Sequence, residues 1–169
     1  TNASIGVHTA MQDSSPMILF VGQVPLNNKY REAFQEIDIT SYFNSIAKMT
    51  IEINNVDRIP EIIARAWRIS LSGRPGPVVI SMPEDILNLK SNSSPCQKLN
   101  IFESGVDKNQ IKEIINILSE SKRPLILVGG SGWNNQGKND LNNFCEKEKI
   151  AVATSFRCHD IFNNHSFCY

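Results

Sequence analysis

The chain has 169 residues, with 17 basic and 17 acidic side chains, so its formal net charge is zero. Hydrophobic residues make up 41% and charged residues 20%, which is typical of a globular protein with a core and not of a disordered chain. The lack of a basic excess or a Lys/Arg run argues against nucleic acid as a partner. The longest apolar run, Pro16 to Val21, is far shorter than the roughly 20 residues that span a membrane, so we also expect no membrane segment.

The first half of the sequence predicts alternating helices and strands. Residues 4–12 favour a short helix, whose apolar neighbours predict that His8 is packed or half-buried. The run at 16–21 predicts a strand buried on both faces, and residues 48–53 alternate like a second strand. Asn55 can cap a helix with apolar residues at helical spacing from 59 to 69, and residues 77–82 predict a third strand. This order is typical of a parallel α/β sheet.

The second half predicts another α/β unit. Residues 89–103 are polar, contain Pro95 and show no period, so they predict a linker between domains at 1–88 and 104–169. Asp107 and Gln110 have capping-box spacing ahead of an amphipathic helix at 111–118. A buried strand at 124–128, a helix at 138–147 and a strand at 150–154 follow, which is roughly half of a doubly wound domain.

Three places carry candidate ligand-binding groups. Gly129, Gly130 and Gly132 follow a predicted strand, where glycines let the backbone approach a phosphate, although a tight turn explains them equally well. Arg74 lies in a loop before a strand, where a fixed guanidinium can grip phosphate oxygens, although most such arginines are solvated. Gln35 can both donate and accept hydrogen bonds, but taken alone it is typical of a surface or capping residue.

The cysteines and histidines predict no metal site. The four cysteines form no CxxC pair, which together with the absence of secretory signs predicts reduced thiols and a cytoplasmic location. Cys158, His159, Asp160, His165 and Cys168 lie close in sequence, but their spacing matches no standard zinc pattern.

A set of short motifs carries a family resemblance. The motifs are Thr1-Asn2, Asp13-Ser14-Ser15-Pro16, Gly22-Gln23-Val24-Pro25, Ala33-Phe34-Gln35-Glu36, Ser72 to Val78, and Val128-Gly129-Gly130-Ser131. In this order and at these distances they resemble thiamine-diphosphate enzymes, closest to the acetolactate synthase large subunit. The resemblance covers nearly the whole chain and is strongest before residue 86.

The resemblance implies a fold, an activity and a set of partners. The fold is α/β, with a partial parallel-sheet pyrimidine-binding domain followed by part of a Rossmann-like central domain. The chain would be a fragment of a thiamine-diphosphate-dependent carboligase or decarboxylase that acts on 2-keto acids and forms a homodimer or homotetramer. No catalytic residue is expected within it, because the family's activating Glu would precede Thr1. The GDG…N motif that holds Mg²⁺ and the diphosphate would follow Tyr169.

The resemblance also implies roles for individual residues. Gln35 is expected near thiamine diphosphate and Lys48 near the substrate channel, and Asn2 is expected to contact a cofactor. The residues expected near FAD, in family members that keep a flavin, are Ser14, Arg74, Gly129, Gly130, Ser155 and Phe156.

Two positions depart from the family pattern. Glu84 stands where acetolactate synthases have a Lys, so a negative group replaces a positive one that could face a substrate carboxylate. Residues 155–160 differ from the TLMGLG-like turn of acetolactate synthases. Two alternatives therefore stay open. One is a related thiamine-diphosphate lyase or decarboxylase with a different substrate and no FAD, and the other is a non-catalytic nucleotide-binding relic of the fold.

Overall fold

The computed structural model describes residues 1–97 and 105–169. It divides into two compact units, Thr1–Phe102 and Glu103–Tyr169. Residues 91–97 form neither helix nor strand, and the remainder of the predicted linker at 89–103 lies partly outside the described residues. The domain boundaries at 88/89 and 103/104 therefore stay a prediction.

The first unit contains a three-stranded parallel sheet. Its elements are α1 (Ser4–Gln12), β1 (Met17–Gln23), α2 (Ile39–Phe43), β2 (Met49–Glu52), α3 (Ile59–Leu71), β3 (Pro77–Pro83) and α4 (Glu84–Leu87), with 3₁₀ turns at Leu26–Asn28 and Val56–Arg58. The strand order is β1-β3-β2, and Met17 pairs with Pro77 while Met49 pairs with Val78. The predicted parallel α/β fold is confirmed, and all three strands end at the same side of the sheet, here called its carboxyl end.

The central strand β3 packs on both faces. Successive side chains of a strand point to opposite faces, so Val78 and Ile80 pack with Ile62 of α3 while Val79 packs with Phe43 of α2. All three β3 residues are fully buried. Helix α3 is amphipathic and begins at Ile59, directly after the 3₁₀ turn Val56–Arg58. Asn55 caps that turn and not α3 itself, since its side-chain oxygen accepts a hydrogen bond from the backbone N–H of residue 57 at 2.9 Å.

Two expectations for the first unit are wrong. Strand β1 is not buried on both faces, since Phe20 is 46% exposed. The reason is that β1 is an edge strand of the three-stranded sheet and has fewer neighbours to cover it. His8 is exposed and not packed, because α1 buries Val7 and Ala10 on its other face.

The second unit is a two-stranded parallel sheet with helices. Its elements are α5 (Lys108–Glu120), β4 (Leu125–Val128), α6 (Asn135–Glu148) and β5 (Ala151–Thr154), with Leu125 paired to Ala151. Asp107 caps α5 by accepting a hydrogen bond from the backbone N–H of residue 109 at 2.8 Å. One core cluster lies under the sheet, and its buried members are Val128, Cys145, Val152, Ile161, Phe162 and Cys168.

Burial in the second unit differs from the sequence expectation. The predicted strand and helix form, but Leu125 and Leu127 of β4 are 65% and 70% exposed, and Ile114 of α5 is 51% exposed. The physical reason is that the core lies on one face of this small sheet, so the described residues leave the other face uncovered. Helix α6 begins three residues earlier than predicted, because Asn134 accepts a hydrogen bond from Gly137 N at 2.7 Å and caps it.

None of the helices in the described ranges combines the length and the apolar character needed to traverse a bilayer.

Candidate functional site

The predicted site residues of the first unit lie at opposite ends of its sheet. Ser14, Lys48 and Arg74 each precede a strand, so they lie at the amino end. Gln35 lies in the connection that follows β1, and this connection is bonded to the carboxyl end through Gln23, the last residue of β1. The structure therefore does not bring Lys48 and Gln35 together. Ligands of open parallel sheets bind outside the carboxyl ends of the strands, which favours the Gln35 side.

Ser14 and Arg74 bond to each other and to the end of α1. The Nε of Arg74 donates to Ser14 Oγ at 2.8 Å, and its Nη2 donates to the backbone oxygens of Met11 and Gln12 at 3.1 and 2.9 Å. A cation at a helix C-terminus satisfies carbonyls that lack a partner within the helix and complements the helix dipole. Arg74 thus joins the loop before β3 to the end of α1. Asn2 is exposed and precedes the opposite end of this helix.

Lys48 has a similar role at the end of α3. Its Nζ donates to the backbone oxygens of Ile69 and Ser72 at 2.5 and 2.7 Å. Its aliphatic stem lies so close to Gly76 that a Cβ on that glycine would stand 3.0 Å from Lys48 Cδ. Desolvation by burial lowers the pKa of the Lys48 ammonium. The contacts of Lys48 are structural ones, and its proximity to a substrate stays a prediction.

The loop that carries Gln35 has an unusual backbone. Tyr30, Glu32 and Gln35 have φ values of 64°, 56° and 65°, in the left-handed region that residues with a Cβ seldom adopt. Such conformations cost on the order of 1–3 kcal/mol each and persist only where neighbouring structure enforces them. Glu36 contributes to that enforcement, because its carboxylate accepts hydrogen bonds from Tyr30 N at 2.5 Å and Ala33 N at 3.1 Å. These bonds lower the pKa of Glu36. Gln35 itself is exposed.

Polar side chains at the carboxyl end of the sheet hold this loop at both ends. The Nε2 of the buried Gln23 donates to Ile37 O at 2.7 Å. Lys29 Nζ lies 2.5 Å from Glu52 Oε1, and Ser81 Oγ donates to Glu52 Oε2 at 3.1 Å. The sequence reasoning missed Lys29 and Glu52. A signal was available, since Glu52 is an acidic residue within the strand predicted at residues 48–53.

A cleft of about 540 Å³ lies beside the loop. Charged residues dominate its lining, including Lys29, Glu32, Glu36 and Asp38. Asp38 caps α2 and accepts hydrogen bonds from the hydroxyl and backbone N–H of Ser41, which lower its pKa strongly.

Glu84 and Asp85 follow β3 at the same end of the sheet. Asp85 Oδ2 accepts a hydrogen bond from Leu26 N at 3.0 Å and so fixes the turn that follows β1. Glu84 is exposed at the start of α4. The position at which the sequence departs from the family pattern therefore carries a solvent-facing carboxylate at the carboxyl end of the sheet.

In the second unit the predicted glycines form a tight turn after β4. Gly130 and Gly132 have φ values of 81° and 90°, which favour glycine. A Cβ on Gly129 would stand 2.5 Å from the Oγ of Ser155, the residue that follows β5. The structure thus brings Gly129, Gly130 and Ser155 together at the carboxyl end of the β4–β5 pair, and the turn interpretation is sufficient to explain the glycines.

The same turn borders a small crevice with basic side chains. The crevice has a volume of about 180 Å³, and its lining includes Gly130, Lys138 and Arg157. Lys138 Nζ lies 2.6 Å from Asp160 Oδ2, and the Arg157 guanidinium lies over the exposed ring of Phe156 at 5.5 Å. Asp160 also lines the crevice and offsets the Lys138 charge, so Arg157 and the nearby helix N-terminus are the groups that can attract an anion such as a phosphate.

His159 and Tyr169 of this region are engaged in local hydrogen bonds. His159 Nδ1 lies 3.2 Å from Thr154 Oγ1 and 3.0 Å from the hydroxyl of Tyr169. Within the described ranges, no group of three or more His, Cys, Asp and Glu side chains is arranged to hold a metal ion.

Comparisons with known proteins identify the family. Residues 111–169 match the profile of the family described as "Thiamine pyrophosphate enzyme, central domain". A probable acetolactate synthase large subunit from Methanococcus aeolicus is 37% identical over 162 residues, which covers 92% of this chain and 27% of that protein. The chain belongs to the thiamine-diphosphate-dependent, acetolactate synthase-like family.

Further relatives agree with this assignment. Acetolactate synthase 3, chloroplastic, from Brassica napus is 34% identical over 95% of this chain and 26% of its own length. The acetolactate synthase large subunit of Lactococcus lactis subsp. lactis is 35% identical over 92% of this chain and 28% of its own length. The chain thus spans about a quarter of the length of the relatives that it matches.

Proposed function

We propose that this chain is part of an enzyme that uses thiamine diphosphate to join or decarboxylate 2-keto acids, as an acetolactate synthase does. The observation that carries the proposal is the similarity of more than nine-tenths of the chain to proteins named acetolactate synthase, at 34–37% identity. The assignment of residues 1–88 to the pyrimidine-binding domain and 104–169 to the central domain belongs to the same proposal.

The geometry around Gln35 fits a role in holding thiamine diphosphate. An exposed amide stands on a loop whose left-handed backbone is fixed by Glu36 and Gln23, so its position is defined before a ligand arrives. An amide can donate to one ring nitrogen and accept from an amino group without adding charge. When bound, the cofactor supplies the chemistry that stabilises negative charge on the substrate's carbonyl carbon. Mg²⁺ would bind with its diphosphate through residues outside this chain.

The fit to FAD differs between the two groups of predicted residues. Gly130 borders a crevice that is also lined by Lys138, Arg157 and Asp160, and Gly129 and Ser155 lie against each other at the start of the same turn. Arg157 and the helix N-terminus there suit an anionic phosphate of a flavin dinucleotide. Arg74 already uses Nε and Nη2 for Ser14 and the end of α1, so its fit to a flavin is poorer. We therefore include FAD in the proposal through the second-unit residues, with the exposed ring of Phe156 as a surface on which the flavin dinucleotide would stack.

The proposal extends to assembly and location. A homodimer or homotetramer follows from the family, and light scattering of the purified full-length protein tests it. The structure contains free thiols at Cys96, Cys145, Cys158 and Cys168, which suit a reducing compartment such as the cytoplasm. Fractionation of the source cells tests that location.

The proposed function is tested by calorimetric titration of the full-length protein with thiamine diphosphate in the presence of Mg²⁺. We expect saturable binding, and weaker binding in Gln35→Ala. Lys108→Ala, on an exposed residue of the second unit, is the matched control and should bind like the parent. A parent protein that does not bind thiamine diphosphate would contradict the proposal and favour a non-catalytic relic of the fold.

A further inference from the structure

The ion pair between Lys29 and Glu52 stands out from the other ion pairs of the described residues. Both side chains are 19% exposed, and their charged atoms lie 2.5 Å apart. The hydrogen bond with Glu52 raises the pKa of Lys29. By contrast, the pair of Arg58 and Glu61 is 49% and 60% exposed, and such surface pairs contribute little to stability.

The pair joins three separate parts of the first unit. Lys29 opens the loop that carries Gln35, and Glu52 is the last residue of β2. The second carboxylate oxygen of Glu52 accepts from Ser81 of β3, whose side chain is fully buried. The position of Glu52 is therefore fixed by the sheet, and its ion pair with Lys29 anchors the start of the loop to the sheet.

The loop needs such support, because its backbone is strained. Tyr30, Glu32 and Gln35 are left-handed within six residues. Among the described residues, the hydrogen bonds of the Glu36 carboxylate lie within the loop, so Glu36 shapes the loop without attaching it to the sheet. Attachment comes from Lys29 at one end and from Gln23, which bonds to Ile37 O, at the other.

We propose that the Lys29–Glu52 ion pair is a positioning device that holds the Gln35 loop, and hence the Gln35 amide, in the geometry that binds thiamine diphosphate. The proposal rests on the proposed function of Gln35. Lys29 and Glu52 are positioning residues in this account, since they form an ion pair with each other and act on the cofactor through the loop backbone.

The loss of Lys29 should loosen the loop and lower cofactor affinity together. Lys29→Met removes the ammonium but keeps a similar stem, and it leaves the half-buried Glu52 carboxylate without its cation. Hydrogen bonds to charged groups are strong enough that we expect roughly ten- to hundredfold faster amide exchange over residues 30–37. The dissociation constant for thiamine diphosphate should rise by the factor by which the binding-competent loop population falls.

The experiment measures amide exchange and calorimetric thiamine diphosphate affinity in the full-length protein for four variants. Lys29→Met should show both changes, and Lys29→Arg, which keeps the charge, should restore most of each. Arg58→Met, which removes an exposed pair in the same unit, should show neither. Gln35→Ala should lose affinity while its loop exchanges like the parent. Exchange of the α6 amides, in the other unit, reports any general loss of stability.

The outcomes separate this inference from the proposed function. Unchanged exchange over residues 30–37 in Lys29→Met overturns the positioning role. Faster exchange with unchanged cofactor affinity also overturns it, while lost affinity in Gln35→Ala leaves the proposed function standing. Unchanged affinity in Gln35→Ala refutes the role of Gln35 and with it this inference, while the proposed function is tested separately by whether the parent protein binds thiamine diphosphate.

Discussion

Replacement of Arg74 by Met should loosen the end of α1. The guanidinium donates three hydrogen bonds, to Ser14 Oγ and to the carbonyl oxygens of Met11 and Gln12, at 2.8–3.1 Å. Arg74 is exposed, so each bond is assigned the low end of the usual range, about 0.5 kcal/mol. The sum is about 1.5 kcal/mol, which corresponds to about a tenfold change in a local opening equilibrium.

Amide exchange of the full-length protein measures this opening. We expect the last turn of α1, including the amides of Asp13 and Ser15, to exchange about tenfold faster in Arg74→Met. Arg68→Met, which changes another exposed arginine of the same unit, is the control and should leave α1 unchanged. Unchanged α1 exchange in Arg74→Met, with a loss of FAD affinity, would refute the helix-capping account and restore the ligand role expected from the sequence.

Four further predictions follow from the other contacts. Lys48→Met should speed amide exchange at the end of α3, because two carbonyls lose their donor; an unchanged α3 with an altered Michaelis constant for pyruvate would instead support a substrate role. Gly129→Ala should lower the melting temperature, because its Cβ would stand 2.5 Å from Ser155 Oγ, and adding Ser155→Gly should recover most of the loss; a neutral single variant would show that the turn can relax. Glu84→Lys should shift preference among 2-keto acids, since it reverses an exposed charge at the carboxyl end of the sheet; equal kcat/KM values across several keto acids would exclude contact with substrate. The pKa of Lys29 is raised in the folded protein, so its contribution to folding stability is complete below the usual value of 10.5 and is lost as pH rises through the higher folded-state value. The difference in unfolding free energy between the parent and Lys29→Met should therefore be constant from neutral pH to about pH 9.5 and decrease at higher pH. A difference that already shrinks below about pH 9.5 would contradict the assignment.

Strand and helix positions could be predicted because local pattern determines them. The helix at 4–12 has the predicted bounds, and the strand predicted at 77–82 ends one residue later. The predicted start of α6, at residue 138, was three residues late, because Asn134 caps the helix and lets it begin at Asn135. Short elements such as α2, which depends on the cap of Asp38, carry too few residues for a period.

Burial was harder to predict, because it depends on which elements a chain provides as neighbours. The apolar run at β4 indicated a doubly covered strand, but Leu127 is 70% exposed where the core lies on one face only. Likewise β1 is an edge strand of its sheet, and strand order is a non-local property that a single sequence does not reveal.

The site was predictable only in part, for a similar reason. Family motifs pointed to Gln35, and in the structure it lies on a loop with a strained backbone that hydrogen bonds with Glu36 and Gln23 hold in place. The motifs did not reveal that Arg74 and Lys48 satisfy helix ends, since these contacts join residues 21 to 63 positions apart. The pair of Lys29 and Glu52 bridges 23 positions and was invisible for the same reason.

The most direct test of the central claim is an assay of the purified full-length protein with pyruvate, Mg²⁺ and added thiamine diphosphate. The account predicts carbon dioxide release and formation of acetolactate that depend on thiamine diphosphate and weaken in Gln35→Ala. A protein that binds no thiamine diphosphate and consumes none of a panel of 2-keto acids would contradict it.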